Sequence, residues 1–138
     1  MSDTQDIGGC LCGAVRLVSG TPSAHMHACH CSICRLLTGM SQFAMDVADA
    51  VWEGEIATFA SSDFAERAFC PKCGTTLFYR MLDSDAHSIN PFILRDRSVL
   101  NFDEEIFIDN KPDGYAFAGD RPRKTEADVL AQSAPESD

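Results

Sequence analysis

The sequence predicts a mainly β fold, a small antiparallel β domain with little helix, braced by metal held on cysteines. Three observations predict it. Apolar and polar residues alternate in short runs bounded by Gly, Pro, Ser and Asp. Helical signals are confined to two short segments. The chain's 7 cysteines fall in three tight groups, Cys10-x-Cys12, Cys29-x-Cys31-x-x-Cys34 and Cys70-x-x-Cys73.

In chain order, alternation predicts strands over Ala14 to Val18, Gln42 to Val47, Glu55 to Phe59, Phe64 to Phe69, Thr76 to Met81, Ser88 to Leu94 and Glu105 to Ile108. Between the first two, a short helix fits Ser32 to Thr38, with Gly39 as its stop. A weak last helix fits Thr125 to Gln132, ahead of a frayed polar end from Ser133 to Asp138. Trp52, Phe43, Phe69, Phe78 and Tyr79 fall on strand-like alternations and read as core. Pro112, Gly114, Gly119 and Pro122 mark a loop-rich segment near the end.

A chain of 138 residues, 45% hydrophobic, suits one domain with a modest core that metal sites would reinforce. The expected organisation is a flexible start over 1–7, a metal-binding domain over 8–123 and a polar tail over 124–138. The first residues carry neither a basic region nor an apolar run, and no stretch is long enough to span a bilayer, so a cytoplasmic protein without a membrane partner is expected. In that reducing setting closely spaced cysteines read as metal ligands, and an odd number leaves one over in any disulfide scheme. The net charge of −10 opposes binding to a phosphate backbone, and seven thiolates around two divalent ions would lower it by about three more. No nucleic-acid partner is expected.

Thiolates two or three residues apart on a turn converge on a soft cation, and zinc takes four of them when its task is structural. Seven is one such set plus three, and a three-ligand zinc keeps a position for water or substrate. Spacing leaves two partitions open. The knuckles Cys31/Cys34 and Cys70/Cys73 could share an ion and leave Cys10, Cys12 and Cys29, or Cys10, Cys12, Cys70 and Cys73 could share one and leave Cys29, Cys31 and Cys34.

The segments Gly8-Gly9-Cys10-Leu11-Cys12-Gly13-Ala14-Val15, Cys29-His30-Cys31-Ser32-Ile33-Cys34-Arg35 and Phe69-Cys70-Pro71-Lys72-Cys73-Gly74 resemble the glutathione-dependent formaldehyde-activating enzyme family, which includes centromere protein V. The resemblance runs from Gly8 to about Arg123 and continues in Leu77-Phe78-Tyr79-Arg80, Ile89-Asn90 and Glu104-Glu105-Ile106-Phe107-Ile108. It implies the second partition: a structural zinc on Cys10, Cys12, Cys70 and Cys73 and a catalytic zinc on Cys29, Cys31 and Cys34, two ions per chain. It also implies a zinc-braced β-tent fold and a carbon–sulfur lyase acting on the adduct of glutathione with formaldehyde. The implied partners are therefore a small thiol and an aldehyde.

His30, inside the triplet, is the nearest candidate for a proton shuttle. His25 and His27 read as strand or loop positions rather than a fourth ligand, and Asp46 and Asp63 show no pairing that marks acid–base residues. Glutathione carries two carboxylates, for which Arg35, Lys72 and Arg80 are the cations beside the metal-binding segments. Two other readings stand beside this one: a related zinc enzyme for another thiol or carbonyl compound, and a noncatalytic zinc-braced interaction module. The last requires a fourth protein ligand to close the triplet's site. The acidic composition has no basic tract suited to chromatin.

Overall fold

A computed structural model describes residues 6–133. The chain runs β1 (Gly8–Gly9), β2 (Arg16–Cys29), α1 (Ser32–Thr38), β3 (Gln42–Glu53), β4 (Ala57–Ala60), β5 (Ala65–Phe69), β6 (Thr76–Met81), β7 (His87–Ile89), β8 (Asn101–Ile106) and α2 (Glu126–Ser133). The fold is mainly β, and the pairings β1/β2, β3/β7, β4/β5, β5/β6 and β6/β7 are all antiparallel. The chain divides into two compact units. The first comprises the chain up to His25 together with Ala44–Asn101, and the second Met26–Phe43 together with the chain from Phe102 onward.

In the first unit the strands follow the order β1-β2-β3-β7-β6-β5-β4. Register puts Met45, Ile89, Phe78 and Ala68 in one cross-strand row, and all four are buried. The next row on the same face is Val47, His87, Arg80 and Glu66. Val15, Leu17, Leu77, Ile93 and Leu94 are buried as well, each large apolar side chain contributing about 2 kcal/mol on leaving water. Gly54 is required here: at φ 106 it sits so close to the backbone of Ala14 that a Cβ would lie 2.1 Å from the Ala14 carbonyl oxygen.

In the second unit β8 pairs with β2, and the His30 N–H donates to the Ile106 carbonyl at 3.1 Å. Phe43, Phe102 and Phe117 pack as a ring cluster with centroids 5.0 to 5.3 Å apart. The segment after Ala118 returns beside β8: the Glu105 N–H donates to the Pro122 carbonyl at 3.0 Å, and the Lys124 N–H to the Glu105 carbonyl at 2.8 Å.

The first helix occupies the expected residues, and Gly39, at φ 80, stops it with its N–H on the Arg35 carbonyl. β2 and β3 run well past Val18 and Val47. Positive φ at Ala24 and Asp49 marks irregular points that let each strand continue through polar residues. The strand expected over Ser88 to Leu94 stops at Ile89, because Pro91 cannot donate to a ladder and Asn90 caps a 3₁₀ turn at Pro91–Ile93. Phe69 departs from the core expectation at 37% exposure, as the last strand residue before the Cys70 turn. The expected end at Ser133 to Asp138 lies, from residue 134, outside the described residues, as does the start up to residue 5. Asp6 and Ile7 are held: Asp6 accepts from Arg95 at 2.5 Å, and the Ile7 N–H donates to the Leu17 carbonyl at 2.8 Å. No helix among the described residues is long and apolar enough to cross a membrane.

Candidate metal centres and a buried polar chain

The first centre lies in the first unit. Cys10 opens a tight turn in which the Gly13 N–H donates to its carbonyl at 3.2 Å, and the Val15 N–H donates to its Sγ at 3.3 Å. Cys70 opens a similar turn: the Gly74 N–H donates to its carbonyl at 2.9 Å, and the Lys72 N–H to its Sγ at 3.4 Å. Gly13 and Gly74 have φ of 83 and 80, which a side chain rarely adopts, so each knuckle depends on its glycine. The Leu11 N–H donates to Thr75 Oγ1 at 3.1 Å and joins the turns.

All four sulfurs of Cys10, Cys12, Cys70 and Cys73 lie within 4.8 Å of one another. Sγ of Cys12 is 3.6 Å from that of Cys10 and 3.7 Å from that of Cys70. A tetrahedral zinc with Zn–S near 2.3 Å needs sulfur separations of roughly 3.8 Å, so the donor set fits. The Thr75 hydroxyl, followed by its N–H and that of Cys12, holds the Cys73 thiol down at about 5, which favours the thiolate a metal requires.

The second centre lies in the second unit. Cys29 ends β2, Cys31 caps α1 by accepting the Cys34 N–H at 3.3 Å, and Cys34 sits in the helix's first turn. Their three sulfurs lie within 4.8 Å of one another, and among the described residues no fourth Cys, His, Asp or Glu joins them. Hydrogen bonds from the Cys29 and Cys34 thiols hold the Cys31 thiol well below its ordinary range, and the same contacts push Cys29 far up. The three sulfurs are a soft donor set suited to zinc with a position left over. Of the two groupings that spacing left open, the sulfurs lie in the second: Cys10 and Cys12 lie with the Cys70 knuckle, and Cys29 lies with Cys31 and Cys34.

His30 turns inward and is fully buried. Its Nε2 lies 2.8 Å from Glu105 Oε1, and its Nδ1 is bonded to the Ser41 hydroxyl, which is bonded in turn to the Tyr115 hydroxyl. Glu105 Oε2 accepts from Arg121 at 2.7 Å and from Arg123 Nε at 3.0 Å. The imidazole stacks on Phe117 with centroids 5.8 Å apart, and the Arg121 guanidinium lies 3.9 Å over the Phe102 ring. Burial raises the Glu105 pKa, but the hydrogen bonds from His30 and Arg121 and the charge of Arg123 outweigh it, and the carboxyl is held below its usual range. Ser41, His30 and Glu105 have the connectivity of a hydrolase triad. Ser41 is 1% exposed, however, and its oxygen is engaged by Tyr115, so it cannot meet an acyl substrate.

Sequence reasoning singled out His30 but missed Ser41, Tyr115, Arg121 and Arg123, and read Glu105 only as part of a strand. The signal was an acid at a core position of an apolar alternation, with Arg-Pro-Arg later in the chain. Of the proposed cations, Arg35 shares a unit with the triplet, where its Nε donates to the His30 carbonyl at 3.0 Å. Lys72 is exposed beside Cys70, and Arg80 is engaged twice by Glu66, at 2.9 and 3.1 Å. His25 and His27 lie in β2 and belong to neither cysteine group.

Comparison with known proteins places these features in context. The family described as "Glutathione-dependent formaldehyde-activating enzyme" matches residues 5–110. An uncharacterized lyase of Schizosaccharomyces pombe is 34% identical over 127 residues, 89% of this chain and 93% of that one. A Halomonas elongata protein named provisionally as a glutathione-dependent formaldehyde-activating enzyme is 28% identical over 124 residues, 77% of this chain and 76% of its own. A crystal structure of a Rhodobacter sphaeroides protein shares the fold with a TM-score of 0.54 at 22% identity, covering 84% of this chain and 97% of that one.

Proposed function

The chain belongs to the glutathione-dependent formaldehyde-activating enzyme family, and from that premise we propose that it is a zinc-dependent carbon–sulfur lyase that forms and cleaves S-(hydroxymethyl)glutathione. The observation that carries this reading is the contrast between a four-sulfur centre and a three-sulfur centre in one chain. On this reading Cys10, Cys12, Cys70 and Cys73 hold a structural zinc, and Cys29, Cys31 and Cys34 hold a catalytic one.

When bound to three thiolates, zinc supplies Lewis-acid chemistry at its remaining position. The reaction joins sulfur to carbon as the carbonyl π pair moves to oxygen and the thiol proton ends on that oxygen; cleavage reverses each change. The chain's own contribution is to fix the donors. Capping by Cys31 and the buried hydrogen bonds of His30 hold the intervening backbone of the turn that brings the three sulfurs together. His30 is the proposed positioning group of the site, and Arg35 is the proposed contact for a glutathione carboxylate. A cytoplasmic setting, with its reduced thiols and abundant glutathione, suits both centres.

One observation favours a second reading within the same chemistry. Ile33, Leu36 and Leu37 on α1 and Met40 just past its end, close in sequence to the triplet, are exposed by 43, 86, 50 and 47%. Such a surface suits a thiol or aldehyde with a larger apolar part than formaldehyde offers.

The test is zinc content per chain together with NMR exchange between formaldehyde and glutathione, for wild type and Cys31→Ser. Two ions falling to one, with accelerated exchange lost and the circular dichroism retained, is the expected result. Two ions with no acceleration by wild type would refute the glutathione reaction and turn the search to other thiols and aldehydes.

A further inference from the structure

The residue between two of the three clustered sulfurs is anchored through its backbone and its ring, and most of its anchors come from far along the chain. His30 joins Cys29 to Cys31, so whatever fixes its backbone fixes where those two ligands start. Its N–H donates to the Ile106 carbonyl at 3.1 Å, and its own carbonyl accepts from Arg35 Nε at 3.0 Å. Both ring nitrogens are bonded as well, Nδ1 to the Ser41 hydroxyl and Nε2 to Glu105 Oε1 at 2.8 Å.

Glu105 is itself braced. Its N–H donates to the Pro122 carbonyl at 3.0 Å, its carbonyl accepts from the Lys124 N–H at 2.8 Å, and its Oε2 accepts from Arg121 at 2.7 Å and Arg123 at 3.0 Å. The arginines are tied to their own segment: Arg121 donates to the Ala118 carbonyl at 2.5 Å, and Arg123 to the Gly119 carbonyl at 2.9 Å. Phe117 of that segment stacks on the imidazole. All these residues lie in the second unit, and the segment from Phe117 to Arg123 lies past residue 110, where the family match ends. Burying a carboxylate among guanidinium groups is no better for stability than apolar packing of the same volume. The network therefore calls for a role besides holding the core together.

Resting on the reading of Cys29, Cys31 and Cys34 as a zinc site, we infer that Glu105, held by Arg121 and Arg123, is a positioning residue of that centre. By fixing His30 it fixes the backbone from which the Cys29 and Cys31 sulfurs project, and so sets how tightly the three-sulfur centre holds its metal.

The test uses zinc-loaded full-length protein and Glu105→Gln, which keeps the side chain's size but gives up the charge on which both guanidinium groups converge. Competition with a chromophoric chelator reads the affinity of each ion. Cys31→Ser, alone and combined with Glu105→Gln, identifies which ion belongs to which centre. The expected result is a three-sulfur ion held about tenfold more weakly in Glu105→Gln, with the four-sulfur ion unchanged and circular dichroism retained. With cobalt(II) in place of zinc, the visible bands of the looser ion should shift, since they report ligand angles. Unchanged affinity at the three-sulfur centre, or the equal weakening of both ions that general destabilisation would give, overturns the inference. Should Glu105→Gln fold poorly, Arg123→Gln takes its place, since that side chain is 37% exposed. A smaller loss confined to the same ion supports the inference, and no loss overturns it. A wild type that holds a single ion overturns both the inference and the zinc reading beneath it. Two ions held without faster exchange of formaldehyde with glutathione would refute the lyase reaction and not the positioning role.

Discussion

A carboxylate at 1% exposure persists only where its oxygens are fully engaged, and Glu105 meets that condition through His30 on one oxygen and Arg121 and Arg123 on the other. Removing it leaves Arg121, whose side chain is 8% exposed, without its anion. Glu105→Ala is therefore expected to destabilise the fold by about 3 to 5 kcal/mol, the usual cost of breaking a buried pair from one side. Chemical denaturation of the variant checks it, and a loss below about 1 kcal/mol would mean that solvent reaches the arginines. The pH sign follows from the lowered pKa. The unfolded carboxyl binds its proton first as pH falls, so the stabilisation is complete above about 4.5 and is lost as pH drops through the lower folded value. Glu105→Gln should flatten that acid limb. At this scale the cysteines were legible because their chemistry depends on spacing along the chain. The His30 network was not, because its members come from four separate segments that only folding brings together.

Among the strands, the adjacent β3, β7 and β6 carry a built-in reporter. Asp49 at φ 56 interrupts the alternation of β3, and the Trp52 indole N–H beyond it donates to His87 Nδ1 at 3.0 Å. His87 stacks on Phe78 with centroids 4.2 Å apart and planes 9° apart, and its cross-strand partner is Arg80. Burial, then the Arg80 charge, lowers the His87 pKa against the opposing pull of Asp85 and Glu66. A depressed histidine stabilises the fold fully above about pH 6.5 and ceases to do so as pH falls through its folded pKa. A protonated Nδ1 cannot accept from the indole, so emission from Trp52, the chain's 1 tryptophan, should step over that interval with a loss of about 1 kcal/mol in stability. His87→Gln should abolish the step, and an unchanged step would assign it to another group. β6 was legible residue for residue because period-two alternation and flanking turn residues agree there. The long β2 and β3 were not, since their irregular points replace the alternation that would announce them.

For the whole molecule, the two cysteine centres differ in what they tie together. Cys29, Cys31 and Cys34 lie within one β2-to-α1 turn, so a metal there constrains little chain. The four-sulfur centre brings together Cys12 and Cys70, which are 58 residues apart in sequence. Closing a loop of that length restricts the unfolded chain by about 4 kcal/mol, on the same reasoning that applies to a disulfide. Net charge adds to the contrast: at −10 the chain repels itself, and four thiolates without a cation would concentrate that repulsion at one point. Graded chelation of the zinc-loaded protein should therefore release metal in two stages. The first ion should leave from the three-sulfur centre with near-ultraviolet circular dichroism intact, and the second should leave together with cooperative unfolding. Cys70→Ser should reproduce the second stage without chelator and melt well below wild type, while Cys31→Ser reproduces only the first. If Cys70→Ser melted within about 2 °C of wild type, packing alone would hold the first unit and its metal would be dispensable for folding.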